Sequence, residues 1–127
     1  MKKGTILSGM RPTGKLHIGH LVGALSNWVS LQDDYKCFFM IADWHALMSE
    51  YEHPEIVGQS SIDVAVDFLA SGIDPAKSVL FVQSDIPEHL ELYMAFSCVT
   101  PLGWLERCPT YKEQVQNLAD KDVNNYA

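Results

Sequence analysis

"KCFFMIA", Lys36 to Ala42, decides how the rest of the chain is read. After its lysine it is an unbroken apolar run of strand length, and a strand apolar on both faces suits a parallel sheet covered on both sides. Before it, Thr5 to Met10 is a second strand candidate. Between the two, His17 to Asp33 reads as a helix, with Leu21, Ala24, Leu25, Trp28 and Leu31 on one face at three- and four-residue spacing. After it, "HPEIVGQSSIDVAVDFLASG" reads as another helix. Pro54 suits its first position, and Gly72 suits the left-handed residue that ends it. Ile56, Ile62, Val66 and Leu69 mark its expected buried stripe. A turn at Asp74-Pro75 leads to a third strand, Val79 to Gln83. Pro87 opens a third helix over Glu88 to Cys98, Thr100-Pro101 breaks it, and Pro101 to Glu106 is a further short turn.

The order is β-α-β-α-β-α. Strands alternating with helices long enough to cross over predict an α/β fold with a parallel sheet and right-handed connections. This is the first half of a Rossmann-like, doubly wound sheet. Ligands of such sheets bind at the carboxyl ends of the strands. The stretches to inspect are therefore Ser8 to His20, Asp43 to Ser49 and Ser84 to Pro87. Three parallel strands leave a sheet edge open, and "KEQVQNLADKDVNNYA" closes the chain in polar texture without another strand. The expectation is a piece of a longer chain.

With 127 residues, 47% of them hydrophobic, the chain is long enough for one domain and apolar enough for a core. A net charge of −7 argues against a generic basic nucleic-acid coat. It leaves room for a local phosphate site, which needs a few donors and a helix end. Cys37, Cys98 and Cys108 have no C-x-x-C spacing and read as free thiols of a reducing compartment. No stretch approaches the roughly 20 apolar residues of a membrane span, and the apolar run in "MKKGTILSGM" is too short for a secretory signal. The expected location is the cytoplasm, with no membrane and no DNA as partners. Trp28, Trp44 and Trp104 read as packing residues.

"RPTGKLHIGH", Arg11 to His20, carries the chemistry. Gly9 lets the backbone turn off the first strand and lets a ligand approach. Pro12 stiffens the loop, and Gly14 permits a left-handed turn. His17, Gly19 and His20 fall in the first turn of the helix, whose free N–H groups favour an anion. His17 and His20 share a face, so two imidazoles can bind phosphate oxygens and stabilise charge that grows in a transition state. Gly19 leaves bare backbone on which a flat group such as adenine could lie. Neither phosphate-binding glycine motif, G-x-x-x-x-G-K-[ST] or G-x-G-x-x-G, is present. No metal site is expected, since the histidines lack a third ligand at zinc spacing.

His17-Ile18-Gly19-His20 matches the HIGH signature of class I aminoacyl-tRNA synthetases letter for letter. "RPTGKLHIGHLVGALSNWVSLQ", "CFFMIADWHAL", "GIDPAKSVLFVQSDIPEH" and "LGWLERCPTYKEQ" together resemble the tryptophanyl-tRNA synthetase family. The resemblance runs from Thr5 to about Gln114. It implies that residues 1–127 are the N-terminal part of the catalytic domain. The K-M-S-K-S signature, the rest of that domain and the anticodon-binding domain would then lie outside the chain. It also implies a tryptophan–tRNA ligase acting with ATP and Mg2+ on L-tryptophan and tRNA(Trp), as a homodimer. In that likeness Arg11, Pro12 and Thr13 lie along ATP, with Gly19 and His20 on its adenine and ribose side. His17 and His20 serve the phosphates, and Lys112 reaches them from a basic stretch. Leu7, Gly9, Ala42, Asp43 and His45 border the amino-acid pocket or its ATP side.

Three other readings remain at this level: the same chemistry with tyrosine, a small HxGH nucleotidyltransferase, and a non-catalytic module. The residue expected to read the indole N–H lies outside the chain. The 127 residues alone are expected to be inactive or weak as a catalyst.

Overall fold

In the computed structural model, which describes residues 2–117, three strands run parallel in the order β1 (Thr5–Met10), β2 (Lys36–Ile41), β3 (Ser78–Val82). Ile6 lies beside Cys37 and Cys37 beside Ser78, while at the other end Met10 lies beside Ile41 and Ile41 beside Val82. The carboxyl ends are therefore level, and the connections that leave them start from one edge. The chain divides into two units, Met1–Pro87 and Glu88–Ala127.

In the first unit, the two-residue period puts Cys37, Phe39 and Ile41 on one sheet face. All three are buried with Leu25, Trp28, Val64, Phe68 and Ile73. Trp28 stacks on Phe39 with centroids 4.8 Å apart and meets Phe68 edge-on at 5.5 Å. Such pairs add about 0.5–1.5 kcal/mol each beyond the area they bury. On the other face Phe38 and Met40 are half-buried, and Leu7 and Val79, which flank Phe38, are exposed. The expected cover is thus found on one face of β2.

The first helix begins at His17. α1 (Ile18–His20), a π-helical segment (Leu21–Leu25) and α2 (Ser26–Leu31) follow one another without a break. The Leu21 carbonyl accepts both the Ser26 N–H and, at 2.8 Å, the Ser26 hydroxyl, which widens that turn. Leu21, expected in the buried stripe, is exposed at 38%, whereas Leu25 and Trp28 are buried.

α3 (Asp43–Leu47) is a short helix where the sequence suggested only a connection, with Ala46 fully buried. α4 (Glu55–Ala70) follows Pro54 and ends at Gly72, whose φ of 104° is the expected left-handed residue. Its buried stripe is Val57, Ser60, Val64 and Phe68. The expected stripe of Ile56, Ile62, Val66 and Leu69 is exposed. α4 carries apolar residues on both faces, so periodicity alone left the choice open, and the aromatic pair Trp28–Phe68 settles it.

Gln32 is buried and joins three segments. Its amide nitrogen donates to the Val29 and Gly72 carbonyls at 3.2 and 3.1 Å, and its oxygen accepts from Asp74 N–H and the Ser78 hydroxyl at 2.7 and 3.0 Å.

The second unit holds α5 (Glu88–Val99), α6 (Leu102–Leu105) and α7 (Pro109–Asn117). The first two match the expected helices to within a few residues. α5 buries none of its residues, and Trp104 is exposed rather than packed. The polar residues 118–127 lie outside the described part. Among the described residues no helix is long and apolar enough to cross a membrane.

Candidate active site

The level carboxyl edge of the sheet and the connections that leave it carry Arg11, Pro12, Thr13, His17, Gly19, His20, Ala42, Asp43 and His45, while Leu7 and Gly9 lie within β1 and Lys112 in the second unit. From β1 the chain passes Arg11, which is exposed, and Pro12, whose ring is fully buried. Thr13 N–H donates to the Arg11 carbonyl at 3.0 Å. Gly14 has φ 125°, a conformation that favours glycine. Leu16 N–H then donates to the Asp67 carboxylate at 3.2 Å, pinning the loop to α4.

His17 caps the helix. Its Nδ1 accepts from Gly19 N–H at 3.1 Å, while His20 Nδ1 reaches back to accept from His17 N–H at 3.2 Å. This is a capping box built from two imidazoles rather than a hydroxyl and a carboxylate. The rings lie 4.0 Å apart, tilted by 47°. Because each Nδ1 lone pair is taken by an amide, each neutral ring carries its proton on Nε2. Both histidines therefore act as Nε2–H donors. Gly19 has a packing reason as well: a Cβ there would stand 2.9 Å from Cε1 and 3.0 Å from Nδ1 of His17. The His17 ring thus packs on the side of Gly19 where a Cβ would stand, and Gly19 itself remains exposed. An open hollow of about 300 Å³ lies beside this helix start, lined by Leu16, His17, Leu21, Leu25, Asp67 and Ser71 among others.

On β1, Gly9 faces β2 so closely that a Cβ would stand 2.7 Å from the Met40 carbonyl oxygen. Gly9 therefore serves strand packing whatever else it serves. Leu7 is 59% exposed and is no part of the core of this unit.

From β2, buried Ala42 donates its N–H to the Met10 carbonyl at 2.8 Å, which locks the ends of β1 and β2 together. Asp43 Oδ1 accepts from Trp44 N–H and from Ser84 N–H, both at 3.0 Å. His45 is exposed, and its ring Nδ1 lies 2.9 Å from the side-chain oxygen of Gln83, which also accepts from His45 N–H at 3.4 Å. Gln83 opens a single turn of 3₁₀ helix, Gln83–Asp85, and is 5% exposed. It was expected only to end a strand, although a glutamine that closes the apolar run Val79 to Val82 is a signal in itself.

Lys112 is exposed on α7, in the second unit, near Glu106, Tyr111 and Val115. Among the described residues no three His, Cys, Asp or Glu side chains converge as a metal site.

A parallel sheet whose first connection runs through a stiff Pro-Gly loop to a histidine-capped helix start is the first half of a Rossmann-like α/β fold. The family model described as tRNA synthetases class I (W and Y) matches residues 1–125, and the chain belongs to that family. The tryptophan–tRNA ligase of Ralstonia nicotianae is 55% identical over 121 residues, 95% of this chain and 30% of that protein. That of Thermotoga maritima is 55% identical over 120 residues, 94% of this chain and 37% of its own length. The chain thus spans about a third of the length of these curated relatives. The structure of Campylobacter jejuni tryptophanyl-tRNA synthetase complexed with ADP and tryptophan superposes with a TM-score of 0.80 at 42% identity. The match covers 90% of this chain and 35% of that one. A tyrosyl-tRNA synthetase from Archaeoglobus fulgidus, at 21% identity and TM-score 0.69, shares the fold.

Proposed function

We propose that this chain is the ATP-handling N-terminal part of the catalytic domain of a tryptophan–tRNA ligase. The observation that carries the reading is the imidazole capping box: two Nε2–H donors held by backbone amides at a helix start, at the carboxyl edge of a parallel sheet. The relatives named above support tryptophan as the amino acid, and the Campylobacter protein is one solved with ADP and tryptophan.

In the first step a carboxylate oxygen of L-tryptophan attacks the α-phosphorus of ATP. An O–P bond forms, the bond to the bridging oxygen breaks, and pyrophosphate leaves with its electron pair. The protein's task is positioning and charge stabilisation rather than supplying a nucleophile. His17 and His20 donate to phosphate oxygens as their charge grows. Arg11 and Thr13 lie along the nucleotide, and Pro12, buried as it is, contributes through its backbone. Mg2+ arrives on the phosphates of ATP, as is usual for that ion. Leu7, Gly9, Ala42, Asp43 and His45 frame the amino-acid side, and Lys112 supplies a further phosphate contact. In the second step a ribose hydroxyl of tRNA(Trp) attacks the adenylate carbonyl and AMP leaves. The enzyme works in the cytoplasm as a homodimer, for which the half-exposed Leu90, Tyr93, Met94 and Phe96 of α5 offer apolar surface.

The test is amino-acid-dependent ATP–pyrophosphate exchange on the protein of the full reading frame that contains this chain. Exchange with tryptophan and not tyrosine, reduced at least ~100-fold by His17→Ala, is the expected result. Exchange with tyrosine alone overturns the specificity, and none with either overturns the reading.

A further inference from the structure

We propose that Gln83 is a positioning residue for His45: it holds the imidazole in its Nδ1–H form and so turns Nε2 into a hydrogen-bond acceptor for an N–H donor of the amino-acid substrate. The inference rests on the functional reading above and assigns a residue that the sequence left without a role.

The geometry fixes the protonation pattern. Two groups of His45 converge on one atom of Gln83: the backbone N–H at 3.4 Å and ring Nδ1 at 2.9 Å. A backbone N–H can only donate, so the Gln83 atom facing it must be the carbonyl oxygen and not the amide nitrogen. An amide oxygen carries no proton, so Nδ1 must supply the one in the 2.9 Å contact. In the neutral ring this leaves Nε2 bare, and among the described residues Nε2 makes no hydrogen bond.

The support is rigid. Gln83 is buried, its backbone is held in the 3₁₀ turn by Ile86 N–H donating to its carbonyl at 3.0 Å, and the next residue, Ser84, is tied to Asp43. The two strand ends thus hold each other reciprocally: Asp43 after β2 accepts from the backbone beyond β3, and Gln83 after β3 accepts from the backbone and ring beyond β2.

The consequence is an edge with two kinds of imidazole. At the end of β1, His17 and His20 offer Nε2–H to oxygens. At the end of β2, His45 offers a lone pair. An amino acid whose carboxylate is directed at a phosphate has N–H groups left to satisfy, and an acceptor set on rigid support serves them with little reorganisation.

The experiment is a long-range 1H–15N correlation of the histidine rings in the 15N-labelled protein of the full reading frame, run at a pH where His45 is neutral, beside exchange kinetics. The expected native state of His45 is Nδ1–H, the minority form of a free imidazole. Gln83→Leu should move it to Nε2–H and raise the KM for tryptophan ~10-fold while leaving kcat within ~2-fold. Gln83→Glu, which keeps an oxygen at the same place, should restore the Nδ1–H form. A native His45 in the Nε2–H form, or a tautomer indifferent to Gln83→Leu, overturns the positioning role. A switched tautomer with an unchanged KM for tryptophan overturns the substrate contact. If the parent protein shows no tryptophan-dependent exchange, it is the functional reading that fails, and the tautomer result still decides what Gln83 does.

Discussion

At the scale of single residues, glycine has different work at different places in the first connection. Gly19 makes room for the His17 ring, so Gly19→Ala must push that ring off its cap. The expected cost is that of losing an N-cap, about 0.5–2 kcal/mol, together with a fall in exchange activity as the two donors lose their alignment. Gly23 has nothing within 4 Å of an added Cβ. Gly23→Ala should therefore be neutral or stabilising by up to about 1 kcal/mol. Urea unfolding of the pair checks both signs. The thiols differ in the same residue-by-residue way. Burial pushes the Cys37 thiol up, whereas hydrogen bonds from the Tyr111 backbone first, and then from Thr110, hold exposed Cys108 down. Since the thiolate is the nucleophile, iodoacetamide under native conditions should label Cys108 well before Cys37. Peptide mass spectrometry of a time course reads the order.

At the scale of elements, α4 shows what periodicity can and cannot decide. Its ends were legible because Pro54 and Gly72 are conformational signals independent of burial. Its buried face was not, because Ile62, Val66 and Leu69 form as apolar a stripe as Val57, Val64 and Phe68. Burial now separates them, with Phe68 and Val64 at 0% exposure against 60% for Ile62 and 58% for Val66. Phe68→Ala should cost about 3–5 kcal/mol, removing both a core volume and the edge contact to Trp28. Ile62→Ala and Val66→Ala should each stay within about 0.5 kcal/mol. Denaturant midpoints of the three variants test the assignment, and equal costs would return the helix to the face first expected. The first helix gives the converse lesson. Its extent was legible, but the π turn was not, since it arises from Ser26 binding back to the Leu21 carbonyl rather than from any apolar spacing.

At the scale of the whole first unit, the sheet has two differently built edges, and this is why the site was only half legible. Most candidate residues of the carboxyl edge could be named because they follow a strand, as Arg11 follows β1 and Ala42, Asp43 and His45 follow β2. Their partners could not: Gln83 meets His45 across 38 positions, and Asp43 meets Ser84 across 41, only because the strands end level. The amino edge is stitched by charge instead. Lys3 pairs with Asp34, and Lys77 pairs with Asp33 at 2.8 Å. The Lys77 ammonium beside Asp33 holds that carboxyl below its ordinary 3.8, and the same hydrogen bond holds Lys77 above its ordinary 10.5. A carboxyl whose value is depressed on folding adds stability that is present above its ordinary value and lost as pH falls through the depressed one. An ammonium whose value is raised adds stability that is present below 10.5 and lost as pH rises through the raised value. Asp33→Asn should therefore lower the Tm by a small, constant amount between about pH 5 and pH 9. The difference from the parent should close at both extremes. Because the pair is exposed, 1 M salt should shrink the difference throughout. A Tm that Asp33→Asn instead raises near neutral pH would mean that Asp33 acts through the net charge of −7 rather than through Lys77. The amino edge would then be held by the Lys3–Asp34 pair and by its backbone bonds, Lys3 N–H to the Asp34 carbonyl at 2.7 Å and Lys36 N–H to the Gly4 carbonyl at 2.8 Å.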